Sequence, residues 1–396
     1  MRKLLIVTDP IPKGVSVQLE LTRSLAASLK YNFQVYATSS YISKSAKETL
    51  SRDSVIILNS NGGHIIRMLG KIGIFNESFF WVMSWLRETT TGKNYSEAHE
   101  KLSSMEFDYV LNISNTVPVE CNAWWIQGSP LDVTLEKLAS SNNLAKILRL
   151  IFGGLIGKLD RSLLNKYSAL SPVMVANSDY TAKCYEAVGI KVGFSLATFK
   201  DFSKFYPTTS TPSGDYVLTY VGKETEIAPL AQLAKNGVKL VGFGSKTPPG
   251  QSRDKLTKIM NFRGYVTPSE LLELYSNALF TAFPFTEEPL GYVPIESMMC
   301  GTPVLTYNKQ GPKETVLNDE TGWLVDDANE FVKVGTEIWS KKSYAISRER
   351  CIEHSKNLIL KNSDPDIFFK IFGMKTVTDT KSALSPAEDS IIPESA

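Results

Sequence analysis

Short runs of aliphatic and aromatic residues alternate along the chain with segments in which such residues recur every three or four positions. Leu4 to Val7 predicts a buried strand, and the segment from Val17 carries Leu21, Leu25 and Leu29 at helical spacing. Further strands are predicted at residues 33–37, 55–58, 109–113, 123–126 and 173–176. Strands that alternate with helices are typical of an α/β architecture built on a parallel sheet.

A segment rich in Pro, Ser and Thr interrupts this alternation, and residues 204–215 are therefore predicted to be a linker. A new α/β unit follows, with strands at 216–221 and 239–242 around a helix at 228–234. The length of 396 residues suits two domains. The predicted organisation is a first domain over 1–203, a second over 216–362, a terminal helix over 363–374 that can pack back on the first domain, and a disordered tail over 375–396.

Composition narrows the class of protein. Hydrophobic residues make up 43% and charged residues 21%, which is globular, and the net charge of +2 gives no field that would attract nucleic acid. None of the four cysteines forms a CxxC pair, and the three histidines are widely separated, so buried thiols are expected and a metal site is not. The first apolar run is too short for a signal peptide, which predicts a cytoplasmic protein.

The most informative segment reads as a strand, a glycine-containing loop and a helix start. Thr281 to Phe285 predicts the strand, and Pro294 suits the first turn of a helix that ends near Cys300. Gly301 is a natural left-handed end for that helix. The backbone donors and the dipole at such a helix start favour an anion such as a diphosphate.

Two glutamates stand at different heights along this segment. Glu288 lies in the loop before the helix and Glu296 about one turn inside it, so both can face one ligand. One carboxylate can accept hydrogen bonds from sugar hydroxyls and the other from a ribose, at the sheet edge where open α/β folds bind ligands. Without the flanking pattern, two solvated glutamates around an ordinary turn would be the simpler interpretation.

Residues 283–325 resemble the donor-binding signature of the retaining glycosyltransferase family 4, in which seven residues separate two glutamates. Pro294-Ile-Glu-Ser-Met-Met-Cys-Gly-Thr-Pro303 is similar to the family's Pro-Leu-Glu-Ala-Met-Ala-Cys-Gly-Thr-Pro. Gln310-Gly-Pro-Lys-Glu314-Thr-Val316 resembles its Gly-Gly-Pro-x-Glu-x-Val. Similar segments occur in the same order at 176–181, 220–223 and 262–266, so the likeness touches both domains.

The resemblance implies a GT-B fold, in which two Rossmann-like domains with parallel sheets face each other across a cleft. It implies a hexosyltransferase that moves a sugar from a UDP- or GDP-linked donor to an acceptor with retention, without a cofactor or a metal. Glu288 would bind the sugar hydroxyls and Glu296 the ribose, while Lys223 would offset the charge of the leaving diphosphate. The remaining donor-site positions implied by the family are Gly14, Tyr265, Val266, Leu290, Gly291 and Tyr292.

Two positions depart from the family pattern. Ala228 stands where a second Lys is usual, so phosphate neutralisation would be weaker or would depend on another residue such as Arg263. On the acceptor side, Gln127 stands where the family often has His; Gln can hydrogen-bond a sugar but cannot act as a base. These departures leave open a protein that binds nucleotide sugars without transferring them.

One stretch of the first domain is both basic and amphipathic. Its helical stripe consists of Leu144, Ile147, Leu148, Ile151, Leu155 and Leu159, and its charges are mainly basic: Lys137, Lys146, Arg149, Lys158, Arg161 and Lys166. Such a helix can lie on an anionic membrane surface or can face a core with its polar side in water. The acceptor could accordingly be a lipid-linked glycan, or a small sugar or polysaccharide in solution.

Overall fold

The computed structural model describes residues 1–13, 16–58, 77–131, 133, 143–197, 202–244, 248, 251–342, 345–363 and 369. These residues form two parallel β-sheets, the first of seven strands and the second of six. Each sheet is accompanied by helices that connect its strands, which confirms the α/β architecture with two parallel-sheet units.

The first sheet has the strand order β3-β2-β1-β4-β5-β6-β7, and every pairing in it is parallel. Its strands are Arg2–Val7 (β1), Phe33–Thr38 (β2), Ile56–Ile57 (β3), Tyr109–Asn112 (β4), Ala123–Ile126 (β5), Val173–Ala176 (β6) and Phe194–Ser195 (β7). The helices in this part are Val17–Leu29 (α1), Lys44–Arg52 (α2), Glu77–Thr91 (α3), Lys93–Ser104 (α4), Asn143–Leu170 (α5) and Asp179–Glu186 (α6).

The second sheet has the strand order β10-β9-β8-β11-β12-β13, again parallel throughout. Its strands are Val217–Tyr220 (β8), Leu240–Phe243 (β9), Asn261–Gly264 (β10), Thr281–Phe283 (β11), Val304–Tyr307 (β12) and Gly322–Val325 (β13). The helices are Ile227–Lys235 (α7), Arg253–Thr257 (α8), Pro268–Asn277 (α9), Tyr292–Met299 (α10), Pro312–Thr315 (α11), Ala328–Lys341 (α12) and Arg348–Ser363 (α13).

Each sheet has an apolar cluster on each of its two faces, to which successive side chains of a strand contribute in turn. In β1, Leu4 and Ile6 belong to one apolar cluster, whereas Leu5 and Val7 belong to a second cluster on the opposite face. A strand covered on both faces must be apolar at successive positions, and this explains why the strands appear in the sequence as continuous apolar runs.

Most predicted elements are confirmed, and the differences have local causes. The helix predicted from Val17 and the strands predicted at 123–126 and 173–176 have the observed bounds. The strand predicted at 281–285 ends at Phe283, because Pro284 has no N–H for the ladder. The helix α10 starts two residues before Pro294, directly after the left-handed Gly291.

Two described residues beyond the second sheet pack against different sheets. Cys351 in α13 is buried in a cluster of the second sheet, while Phe369 is only 4% exposed and packs in the first-sheet cluster that contains Leu25 and Phe33. The predicted tail over 375–396 lies outside the described residues. Within the parts of the chain that the structure describes, no helix combines the length and the apolar character needed to cross a bilayer.

Candidate functional site

The site begins where β11 ends and α10 starts. Gly291 is the N-cap of α10 and has a φ of 95°, a left-handed conformation that favours glycine. A Cβ at this position would lie only 3.3 Å from the Cα of Pro312, so the absence of a side chain lets the loop pack closely against α11. Gly291 has no side chain with which to cap α10, and the N-terminus of a helix favours an anion.

Glu288 is half-buried in the loop that precedes α10. Its Oε1 accepts hydrogen bonds from the backbone N–H groups of Leu290 at 3.3 Å and Gly291 at 3.0 Å. Burial, followed by the nearby Glu224 carboxylate, raises the pKa of Glu288 to about 7, although the two amides and Lys223 oppose this rise. The carboxyl therefore changes its charge near neutral pH.

The turn after β8 carries Lys223 and lies near this carboxyl group. The backbone N–H of Thr286 donates to the carbonyl of Glu224 at 2.8 Å, and that of Glu226 donates to the carbonyl of Pro284 at 2.8 Å. The turn thus lies alongside the loop after β11, the neighbouring strand of the sheet. Lys223 is exposed, and its charge lowers the pKa of Glu288. The predicted pair is therefore assembled at one sheet edge.

Glu296 lies deeper, about one turn inside α10. The residue is 5% exposed, and its Oε2 accepts a hydrogen bond from the hydroxyl of Tyr275 at 3.0 Å. Burial, together with the charge of Glu296, raises the pKa of Tyr275 well above its usual range, which keeps that hydroxyl a donor. The phenol of α9 therefore fixes the orientation of Glu296 from within the core.

The other predicted donor-site residues lie at the same edge or beside it. Tyr265 follows β10 and is 70% exposed, whereas Val266 is buried. Leu290 is a buried residue of the loop itself. Tyr292 is half-buried, and its ring lies 6.1 Å from that of Phe202. The predicted residue Gly14 lies outside the described residues.

The departures from the family pattern have defined surroundings. Gln127 follows β5, and its Nε2 donates to the carbonyl of Trp125 at 3.0 Å. Ala228 is exposed in the first turn of α7 and places no charge there. Burial, followed by the charge of Glu273, raises the pKa of Tyr216 to about 12, and Arg263, considered above as a substitute cation, opposes this rise.

The first domain contacts the loop directly beside Glu288. The Ser178 hydroxyl donates to the carbonyl of Pro289, and the N–H groups of Asp179 and Tyr180 donate to the Glu314 carboxylate at 2.9 and 2.7 Å. A carboxylate of the second domain thus meets the N-terminus of α6, where the helix dipole favours a negative charge. Sequence reasoning missed this contact because it joins residues 135 positions apart.

A second residue that the sequence analysis missed is Asp9, at the end of β1. It is 2% exposed, and its Oδ1 accepts hydrogen bonds from the hydroxyls of Ser114 at 2.6 Å and Thr116 at 2.8 Å. Burial raises its pKa against these hydrogen bonds. Asp9 therefore links the carboxyl ends of β1 and β4. In the sequence, an acidic residue shortly after an apolar strand could have indicated this position.

The raised pKa of Glu288 predicts a particular pH dependence of stability. The folded protein binds this proton more tightly than the unfolded chain, so stability should fall as pH rises from about 4.5 to about 7. Glu288→Gln removes this contribution, and its melting temperature relative to wild type should therefore be higher at pH 8 than at pH 5. Thermal unfolding of both proteins at the two pH values measures the difference. Parallel pH curves would contradict the assigned pKa.

Most of the candidate site lies in a segment that matches a known protein family. Residues 232–358 match the family model described as glycosyl transferases group 1, a range that includes Glu288 and Glu296 but not Lys223. The alpha-1,3/1,6-mannosyltransferase alg-2 of Neurospora crassa is 44% identical over 74 residues. The aligned segment covers 18% of this chain and 16% of that enzyme, about a sixth of its length.

Solved structures extend the likeness to both sheets. The sucrose-phosphate synthase of Thermosynechococcus elongatus superposes with a TM-score of 0.65 at 15% identity, over 94% of this chain and 100% of that one. Anabaena Alr3699/HepE, solved in complex with UDP and glucose, superposes with a TM-score of 0.61 at 13% identity, over 93% of this chain and 100% of that one. At these identities the likeness establishes the fold.

Proposed function

We propose that this chain, whose residues 232–358 match the group 1 glycosyl transferases and whose two domains have the GT-B fold, moves a sugar from a nucleotide-sugar donor to an acceptor glycan. The observation that carries the proposal is the pair of glutamates at the start of α10. Glu288 stands in the loop beside Lys223, and Glu296 lies deeper, held by Tyr275. One bound donor can meet both.

Each part of a nucleotide-sugar donor has a partner in this arrangement. The diphosphate would lie at the N-terminus of α10, where Lys223 offsets the charge that grows as the nucleoside diphosphate leaves. Glu296 would accept hydrogen bonds from the ribose and Glu288 from the transferred sugar, while Tyr265 and Val266 would lie against the base. Transfer would proceed with retention, the leaving phosphate oxygen taking the acceptor proton on the same face.

The base of the donor is proposed to be uracil or guanine. The complex of the Anabaena protein with UDP and glucose supports a uridine nucleotide. A donor that binds the folded chain raises the melting temperature, so a thermal-shift panel of nucleotide sugars should identify it. The shift should persist in EDTA, because Lys223 and the α10 N-terminus carry the diphosphate charge. No shift with any UDP- or GDP-sugar would contradict the assignment.

The long helix α5 supports a position at a membrane surface, and with it a lipid-linked acceptor. Its N-terminal half exposes five large apolar side chains, in fractions from 47% to 87%: Ile147, Leu150, Ile151, Phe152 and Leu155. The C-terminal half is anchored by buried Leu163, Leu164 and Tyr167. Three residues of the predicted stripe, Ile147, Ile151 and Leu155, are thus exposed, whereas Leu159 packs against the core of the first domain.

The charges around this apolar surface favour an anionic membrane. Lys146, Lys158 and Arg161 are exposed along α5. The helix contains one acidic residue, Asp160, which is buried and accepts a hydrogen bond from the Trp85 indole at 3.1 Å. A cationic apolar helix face attracts anionic lipid headgroups and buries its aliphatic side chains among them. Peripheral attachment at the cytoplasmic face of a membrane is part of this proposal.

Co-sedimentation with vesicles tests the membrane surface. Wild type should bind vesicles that contain an anionic lipid better than neutral ones, and added salt should weaken that binding. Leu150→Gln should weaken it about tenfold, because an exposed leucine that enters the membrane contributes roughly 1.5–3 kcal/mol. Leu360→Gln, a matched change at a leucine that is 67% exposed on α13, should have no effect. Equal binding by all three proteins would favour an acceptor in solution.

A nucleotide-sugar-binding protein without transferase activity is the second candidate function. The observation that favours it is on the acceptor side, where Gln127 cannot serve as a base and its amide donates to the Trp125 carbonyl. Such a protein would bind the donor and respond to substitution of Glu296, but it would release no nucleoside diphosphate from any donor.

A further inference from the structure

We propose that Gln310 is a positioning residue that fixes the backbone from which Glu288 reaches the donor sugar, an inference that rests on the proposed function. The side-chain amide of Gln310 spans the loop before α10. Its Nε2 donates to the carbonyl of Thr286, and its Oε1 accepts from the backbone N–H of Glu288 at 3.1 Å. One planar amide thus holds both neighbours of Glu287 at a fixed separation.

The backbone around Gln310 is shaped to allow this contact. Gln310 has a φ of 62°, in the left-handed region where glycine is favoured, and the family signature has Gly at this position. At the next residue, a Cβ on Gly311 would lie 2.4 Å from the Cα of Leu290. Gly311 also donates its N–H to the carbonyl of Glu288 at 3.0 Å. The two chain segments therefore lie in direct contact, within reach of a side-chain amide.

A non-glycine residue in a left-handed conformation carries strain that must be offset by specific contacts. In Gln310 those contacts are the two hydrogen bonds to the loop, and both go to backbone groups on either side of Glu287. Since each end of the amide is engaged by this loop, Gln310 acts on the donor through Glu288 rather than by direct contact. The carboxylate is further held by the N–H groups of Leu290 and Gly291.

Gln310→Gly tests the proposal without new backbone strain, because glycine adopts the same φ freely. We expect turnover to fall about tenfold, since small displacements of a catalytic group have large effects on rate. Affinity for the free nucleoside diphosphate should stay within about twofold, because Glu296 and α10 bind it. Asp319→Gly is the matched control: Asp319 has a φ of 60° and is exposed before β13, so turnover should not change.

A second readout does not need turnover. In wild type, the part of the pH-dependent stability that Glu288→Gln removes should be lost over a pH window whose upper end lies near the pKa of about 7. Releasing the loop in Gln310→Gly should hydrate the carboxyl group and move that upper end down. Wild-type turnover together with an unchanged pH window would overturn the proposal, as would an equal loss of nucleoside diphosphate affinity. If wild type itself transferred no sugar, the proposed function would fail while the pH window still tested Gln310.

Discussion

Glu288→Gln is expected to slow sugar transfer by roughly 10²–10³-fold, the effect of removing one well-placed electrostatic contact to a transition state. The sugar ring gains positive charge as its bond to phosphate breaks, so a carboxylate beside it binds the transition state more strongly than the ground state. At pH 8 the carboxyl group is mainly ionised, because its pKa is about 7. Single-turnover kinetics at that pH, beside calorimetric binding of the free nucleoside diphosphate, separate the rate from the affinity.

Glu287→Gln is the matched control for this experiment, because it makes the same change of charge in the same loop. The carboxyl group of Glu287 lies 3.5 Å from the hydroxyl of Tyr180 in the first domain. Its loss should change turnover much less than the loss of Glu288. Equal rates for wild type and Glu288→Gln would remove the assignment of Glu288 as the group that acts on the sugar.

Glu296→Ala is expected to weaken binding of the free nucleoside diphosphate by about 1.5–3 kcal/mol, since a charged acceptor of ribose hydrogen bonds is lost. This corresponds to an increase in the dissociation constant of roughly 10- to 150-fold. Isothermal titration calorimetry measures it directly.

Tyr275→Phe provides the control for Glu296, because it leaves the carboxylate in place and removes only the hydroxyl that donates to it at 3.0 Å. The affinity of Tyr275→Phe should fall between that of wild type and that of Glu296→Ala. An unchanged affinity in Glu296→Ala would contradict the ribose assignment, whatever the variant's effect on turnover.

The sequence predicted the strand–loop–helix unit because its determinants are local. Gly291 and Gly301 each adopt the left-handed conformation that begins or ends α10, with φ values of 95° and 78°. The four cysteines are free and buried, as their spacing indicated. A continuous apolar run likewise predicted β1, since both faces of a parallel sheet must be covered. Leucines at helical spacing predicted α1.

Features that depend on distant residues could not be predicted in this way. The raised pKa of Glu288 arises from burial and from Glu224, which only the pairing of β8 with β11 brings near it. The contact between Glu314 and α6 crosses the two domains. Periodicity identified α5 as amphipathic, but it could not determine whether the stripe with Ile151 faced solvent or a core.

The most direct test of sugar transfer through this site is release of nucleoside diphosphate from a panel of UDP- and GDP-sugars, measured for wild type and Glu288→Gln side by side. Many transferases pass their sugar slowly to water, so the assay does not require the acceptor to be known. Wild type should release nucleoside diphosphate from at least one donor, and the variant should be slower by about two orders of magnitude or more. Release from no donor, with binding intact, would identify a nucleotide-sugar-binding protein, and equal release by both proteins would contradict the site.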